Sequence, residues 1–145
     1  MSKKIKIILL TVLLVLMLTT TSFAGSWYKL NFSKNNIGTG FGRDSYYITE
    51  SVITSGKPGV YFYAYGGTSS NSIKIEMQKK EYIPSEGRWD FKTVSSTTKQ
   101  LSNSGVTYIS FSDTSIIFTN GECRFKITPY AGSIDISGYV HYFLN

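Results

Sequence analysis

Apolar and polar residues alternate along most of the chain beyond its first two dozen positions. Ile73, Ile75 and Met77 alternate with Lys74, Glu76 and Gln78, and Phe125 and Ile127 alternate with Arg124, Lys126 and Thr128. Near the end, Ile134, Ile136, Val140, Tyr142 and Leu144 share one parity, with Asp135, Ser137 and His141 on the other. Period two of this kind marks strands with one face in a core and one in water. Weaker strand patterns cover 27–32, 46–52, 59–65, 88–94, 105–112 and 115–119. Turn-forming pairs and triplets separate them: Asn35-Asn36, Lys57-Pro58-Gly59, Gly66-Gly67, Ser85-Glu86-Gly87, Asn103-Ser104-Gly105, Asn120-Gly121 and Ala131-Gly132. Helical spacing is not sustained anywhere in this region. Short strands with polar outer faces predict an all-β fold, an antiparallel two-sheet sandwich of jelly-roll type, with a closed barrel as the alternative.

The first residues follow a different pattern. Lys3, Lys4 and Lys6 precede a run at 7–18 that is apolar except for Thr11, and a short polar stretch ends in Ser22-Phe23-Ala24. This three-part pattern predicts a secretory signal peptide over 1–24, cleaved between Ala24 and Gly25. The apolar run of 12 residues falls short of the roughly 20 that a spanning helix needs. No cysteine follows the run and no hydrophobic tail ends the chain, so secretion without a stable membrane anchor is the expectation. The mature chain, 25–145, suits a single domain.

Charge changes the picture once the leader is removed. Loss of Lys3, Lys4 and Lys6 takes the net charge from +6 to +3. The remaining cations are scattered and form no basic stripe of the kind a nucleic-acid partner needs. Cys123 is the only cysteine, so no disulfide can form within the chain and stability must come from packing. Its place in the alternation Cys123, Phe125, Ile127 reads as a small buried hydrophobe, with an intermolecular disulfide as the other option.

Candidate chemistry is sparse. His141 is the only histidine, so any nucleophile–base pair must use it. Cys123 is its conceivable partner, but parity points Cys123 inward and His141 outward as an exposed strand histidine. One histidine and one cysteine are too few for a structural zinc site. The nine carboxylates are Asp44, Glu50, Glu76, Glu81, Glu86, Asp90, Asp113, Glu122 and Asp135. Most sit at turn or outer-face positions, and none has the apolar setting that would raise its pKa for acid catalysis. Asp113 and Glu122 lack the spaced acidic loop of a known calcium site. Gly38, Gly40 and Gly42 lead into a β-type segment and not a helix, so they read as a loop between strands, not a phosphate cradle. No catalytic residue, metal site or cofactor follows from these patterns.

Aromatic residues are the informative surplus. Tyr61, Tyr63 and Tyr65 share one parity of a strand whose other parity is Val60, Phe62 and Ala64. If the second set is buried, the three tyrosines line the outer face. They could then stack against sugar rings as ligand-binding residues, or simply pack across strands on an exposed sheet. Tyr46, Tyr47, Tyr139 and Phe143 are candidates to extend that surface.

Residues 57–145 carry a family resemblance in their order of strands. A strand with a lysine-rich outer face (S-I-K-I-E-M-Q-K-K) is followed by a tryptophan strand (R-W-D-F-K-T-V), a polar stretch (S-S-T-T-K-Q-L-S-N-S-G) and V-T-Y-I-S-F-S-D. Then come G-E-C-R-F-K-I-T-P and S-I-D-I-S-G-Y-V-H-Y-F. This order resembles the small exported β-sandwich domains of Gram-positive bacteria, including accessory domains of secreted peptidases and carbohydrate-binding-like jelly-roll modules. The resemblance implies a bacterial, extracellular β-sandwich, a fold that hosts many functions, and it carries no site residue with it. The aromatic surplus, the lack of catalytic groups and the sandwich pattern favour a secreted non-enzymatic module that binds polysaccharide, cell wall or a protein partner. Three other roles remain open: a membrane-active toxin, a matrix protein, and a hydrolase inhibitor that would use a protruding loop near 79–88. Oligomeric state is not legible.

Overall fold

A computed structural model describes residues 25–40, 43–66, 71–116 and 120–145. The leader 1–24 with Ala24 at its cleavage point, Gly42 of the glycine-rich loop, and positions 117–119 of the expected strand 115–119 lie outside the described residues.

Among the described residues nine strands form: β1 (Ser26–Gly38), β2 (Tyr47–Ile48), β3 (Val52–Thr54), β4 (Gly59–Tyr65), β5 (Ser72–Ile83), β6 (Arg88–Gln100), β7 (Val106–Phe111), β8 (Gly121–Pro129) and β9 (Ser133–Leu144). They make two antiparallel sheets. Sheet I runs β1-β9-β4-β7; sheet II runs β2-β8-β5-β6, with β3 also on β8. The chain passes repeatedly from one sheet to the other, which is the wiring of a jelly roll and not of a single closed barrel.

The inward parity of both sheets meets in one core. Val60, Phe62, Ala64, Ile109, Phe111, Ile134, Ile136 and Val140 come from sheet I, and Val52, Ile73, Ile75, Met77, Cys123, Phe125 and Ile127 from sheet II. The alternating runs therefore bury the sides their patterns assign, except at the end of β9, where Tyr142 and Leu144 are only half-buried, as His141 and Phe143 are. Lys74 is only half-exposed, held 3.1 Å from Glu76 on the outer face of sheet II.

Four boundaries differ from the sequence expectation, each for a local reason. The strand expected at 27–32 continues to Gly38. Asn35-Asn36 forms a bulge, one extra residue on β1 between the pairs Lys34–Ile136 and Ile37–Ile134. Asn36 accepts the left-handed conformation (φ 57°), and its N–H donates to Asp135 Oδ1 at 2.9 Å. The strand expected at 46–52 is split in two. Between β2 and β3 the hydroxyl of Thr49 takes the place of a ladder carbonyl and accepts from Phe125 N at 3.0 Å. The strand at 88–94 runs on through the polar residues to Gln100, with Val94 as the extra residue between the pairs Gln78–Thr93 and Met77–Ser95. This strand lies at the edge of sheet II, where it needs no continuous apolar face. Finally, Ser115 and Ile116 are not in a strand. Ser115 N donates to Asp113 Oδ1 at 2.7 Å, a local turn that competes with extended pairing.

The β5–β6 hairpin projects beyond its sheet. β8 pairs with β5 only as far as Lys79, whereas β5 and β6 stay paired to Ile83–Arg88. The tip closes with Glu86 N and Gly87 N both donating to Ile83 O, at 3.1 and 2.9 Å. Gly87 supplies the positive φ of 63° that this turn requires.

Candidate functional site

The outer face of sheet I carries the densest cluster of rings. Strand register sets out its rows. Trp27 lies opposite Phe143; Lys29 opposite His141; Asn31 opposite Tyr139, which pairs on its other side with Tyr61. The next row runs from Ser33 through Ser137 and Tyr63 to Tyr108. Residues from four strands thus reach one surface because each has the parity opposite to the core.

Within this surface Tyr61 stacks on Tyr139 at 5.4 Å, and Tyr63 meets Tyr108 at 5.2 Å and Tyr65 at 6.4 Å. At the other end Trp27 stacks on His141 at 4.3 Å and tilts against Phe143 at 5.2 Å. His141 joins the two groups, presenting itself edge-on to Tyr61 at 5.8 Å. Lys29 Nζ stands 4.4 Å from the centre of the Tyr139 ring, a cation–π contact.

The rings enclose a shallow depression of about 580 Å³, lined by Asn31, Phe32, Ser33, Tyr61, Phe62, Tyr63, Tyr108, Ser137, Gly138 and Tyr139. The small side chains of Ser33 and Ser137 leave room between tyrosine walls, and its volume is of the size that holds a small ligand. The phenols come near one another: Tyr108 has a raised pKa, from desolvation first and then from Tyr139, Tyr61 and Tyr63. It therefore stays protonated and can both donate and accept hydrogen bonds.

Of the tyrosines expected from sequence, Tyr63 and Tyr65 are exposed, at 47% and 40%, and Tyr61 is half-buried by its stacking partner. Tyr139 and Phe143 do extend the surface. Tyr46 and Tyr47 do not. Tyr47 belongs to sheet II and packs on Phe32 at 5.5 Å, while Tyr46 lies under the ammonium of Lys126 at 4.5 Å. Trp27, Lys29, Tyr108 and His141 are members of the surface that sequence reasoning missed. Their outward parity was readable, but their adjacency depends on pairing between distant strands. His141 is half-buried between rings and is not a freely exposed strand residue. Its pKa is lowered, by desolvation first and by Lys29 second.

The candidate pair Cys123 and His141 is not brought together. Cys123 is wholly buried in β8 of sheet II, and burial pushes its thiol up to about 12. His141 lies on the outer face of sheet I, so the two do not meet. The buried thiol also has no surface from which to form an intermolecular disulfide. Asp113 is bonded to Ser95 and Ser115, and Glu122 to Lys80 and Ser51 at 2.7 Å each. These bonds lower both carboxyl pKa values. Among the described residues no group of three or more His, Cys, Asp or Glu side chains could hold a metal ion.

Comparison with known proteins bears on the fold. No protein-family model matches the chain, and no curated protein sequence does. The infectious bursal disease virus VP2 subviral particle is similar at TM-score 0.52 and 12% identity, over 86% of this chain and 34% of the viral one. The infectious bursal disease virus Gx strain structure is similar at TM-score 0.50 and 12% identity, over 83% and 32%. The chain therefore spans about a third of the length of these viral chains. A looser likeness, TM-score 0.39 at 7% identity, is to the CBM22-1 xylan-binding domain of Paenibacillus barcinonensis Xyn10C, over 83% and 86%. At such identities the viral likenesses show a shared sandwich fold and nothing of function.

Proposed function

We propose that this protein is an exported, non-enzymatic module that binds extracellular polysaccharide through the outer face of sheet I. The observation that carries this reading is the depression between Tyr61–Tyr139 and Tyr63–Tyr108. It combines aromatic walls with hydroxyl and amide groups from Ser33, Ser137 and Asn31. Sugar rings present apolar C–H faces to aromatic planes and hydroxyls to such polar groups, so a surface of this composition suits them. The separation of Cys123 from His141 supports a binding role over nucleophilic catalysis. The leader pattern at 1–24 supports export. N-terminal sequencing of protein from culture medium should begin at Gly25, and an intact Met1 in a membrane fraction would refute release. The binding test is retention on cell walls and insoluble polysaccharides. Tyr63→Ala and Tyr108→Ala should each weaken retention while leaving the melting temperature nearly unchanged. Retention equal to that of the parent in both variants would reject the platform.

A second reading, binding to a protein such as a secreted hydrolase, is favoured by the projecting β5–β6 hairpin. Near its tip Tyr82 and Trp89 are exposed and pack against each other at 5.7 Å. Arg88 braces the turn through Glu86 at 2.7 Å and Asp90 at 3.0 Å. Ordered aromatic residues on a projecting hairpin are suitable anchors for a partner's cleft. Inhibition of a panel of secreted hydrolases by the parent but not by Trp89→Ala would favour this reading over the first.

A further inference from the structure

We propose that the ligand of the sheet I platform is an acidic polysaccharide, with a sugar carboxylate placed at Lys29. The inference rests on the platform reading above and adds the charge of the ligand to it.

The argument begins with an imbalance of charge. The strands of sheet I contain a single carboxylate, Asp135. It stands six residues along β9 from His141, the partner of Lys29, a separation of about 20 Å in an extended strand. Asp135 is also engaged at the β1 bulge, accepting from Asn36 N at 2.9 Å. Lys29 makes no ion pair among the described residues; its ammonium rests on the Tyr139 ring at 4.4 Å. The other cation of these strands, Lys34, is paired with Asp44 at 2.7 Å.

Sheet II shows the contrast. On its outer face Lys74 is paired with Glu76 at 3.1 Å, Lys80 with Glu122 at 2.7 Å, and Lys126 reaches Glu76 at 4.0 Å. These three lysines are compensated by carboxylates within the protein, whereas Lys29 on sheet I is left to the solvent or a ligand. The location of Lys29 gives the charge a use. It occupies the row next to Asn31, Tyr139 and Tyr61, at the edge of the depression. A sugar seated against Tyr61 and Tyr63 would have an edge toward this ammonium. A carboxylate there gains an attractive partner and meets no nearby acid. The aromatic walls favour a sugar ring over a simple anion, because an inorganic ion has no apolar face to stack.

Matched pairs of polysaccharides test this. Polygalacturonate, alginate and hyaluronan would each be compared with its own methyl ester, which keeps the backbone and removes the charge. Binding to the full chain would be measured by affinity electrophoresis at low ionic strength and again at high salt. At least one acidic form should bind about fivefold more tightly than its ester, the upper range for an exposed ion pair, and salt should reduce that preference. Lys29→Gln should abolish the preference and Lys29→Arg should keep it, with Tyr63→Ala weakening both forms. Equal binding of acid and ester, or an unchanged preference in Lys29→Gln, would overturn the acidic-ligand inference while leaving the platform intact. If no polysaccharide, acidic or neutral, is retained by the parent, the platform reading fails and this inference with it.

Discussion

Gly138 of β9 lies so close to Phe62 of β4 that a Cβ added to it would fall 2.5 Å from the Phe62 Cα. The same atom would lie 2.1 Å from the Tyr61 carbonyl oxygen. Both obstacles are backbone, or fixed to it, and cannot swing aside. The register places Gly138 between Phe32 and Phe62, whose rings pack 6.2 Å apart. Absence of a side chain thus allows the central strands of sheet I to close together beneath the depression. Gly138→Ala should force β4 away from β9 and destabilise the domain by about 1–3 kcal/mol, as overpacking does. Urea denaturation would measure the loss, and weaker glycan retention should accompany it because Tyr61 and Tyr139 are carried on the displaced strands.

Adjacent residues of β4 should respond in opposite ways. Phe62 is 1% exposed and Tyr63 47%. Phe62→Ala should cost about 3–5 kcal/mol through the cavity it leaves. Tyr63→Ala should cost about 1 kcal/mol or less, its contacts being with Tyr65 and Tyr108 at the surface. Comparable denaturation midpoints for the two variants would contradict the assignment of core and platform faces.

The same contrast holds on β5. Ile75→Asp places a carboxylate with no partner among the residues of the core. The cost, several kcal/mol, is on the order of a small domain's whole stability. Lys74→Asp sets a carboxylate beside Glu76, which is now paired with Lys74. That exchange should cost about 1 kcal/mol or less at a partly exposed site. Circular dichroism should show Ile75→Asp unfolded and Lys74→Asp folded with a slightly lower melting temperature.

Cys123 should be chemically silent in the folded protein. Its thiol is raised to about 12 and the residue is 0% exposed, so thiolate is scarce at neutral pH and reagents have no approach. A disulfide reagent should react slowly in buffer and at once in denaturant. Rapid labelling of the native protein would show that β8 opens readily.

Acid should weaken the domain through His141 before it does so through the carboxylates. The folded-state pKa of His141 lies below its ordinary value of 6.5, because burial among Trp27, Tyr61 and Tyr139 and the charge of Lys29 oppose protonation. As pH falls through that ordinary value the unfolded chain takes the proton first. Stability is therefore fully present above it and declines toward the folded-state pKa. The lowered pKa values of Asp113 and Glu122 act in the same direction, the unfolded chain again taking the proton first, but their contribution is lost only in more acidic solution, below their ordinary values of 3.8 and 4.5. Melting temperatures between pH 7.5 and 5.5 should fall in the parent and fall less in His141→Phe, which keeps a ring against Trp27.

Much of this protein was legible in its residue order because parity is a local property. Val60, Phe62 and Ala64 share one face of β4 and Tyr61, Tyr63 and Tyr65 the other, as their alternation required, while which of the two faces lies in the core was decided by packing; the same alternation placed Cys123 in the core. Extended backbone turns successive side chains to opposite faces whatever the rest of the fold does. Strand limits were less legible where a side chain or a sheet edge intervened, as at Thr49, the Asn36 bulge and the polar end of β6. The composition of the platform was decided by tertiary structure alone. Trp27 and His141 stand at opposite ends of the chain, and Tyr61 meets Tyr139 only because β9 lies between β1 and β4. Tyr47 shows the converse: its residue type suited the platform, but its strand joined the other sheet. Which strands become neighbours is settled by closing two sheets over one core, and no local pattern of residues contains that choice.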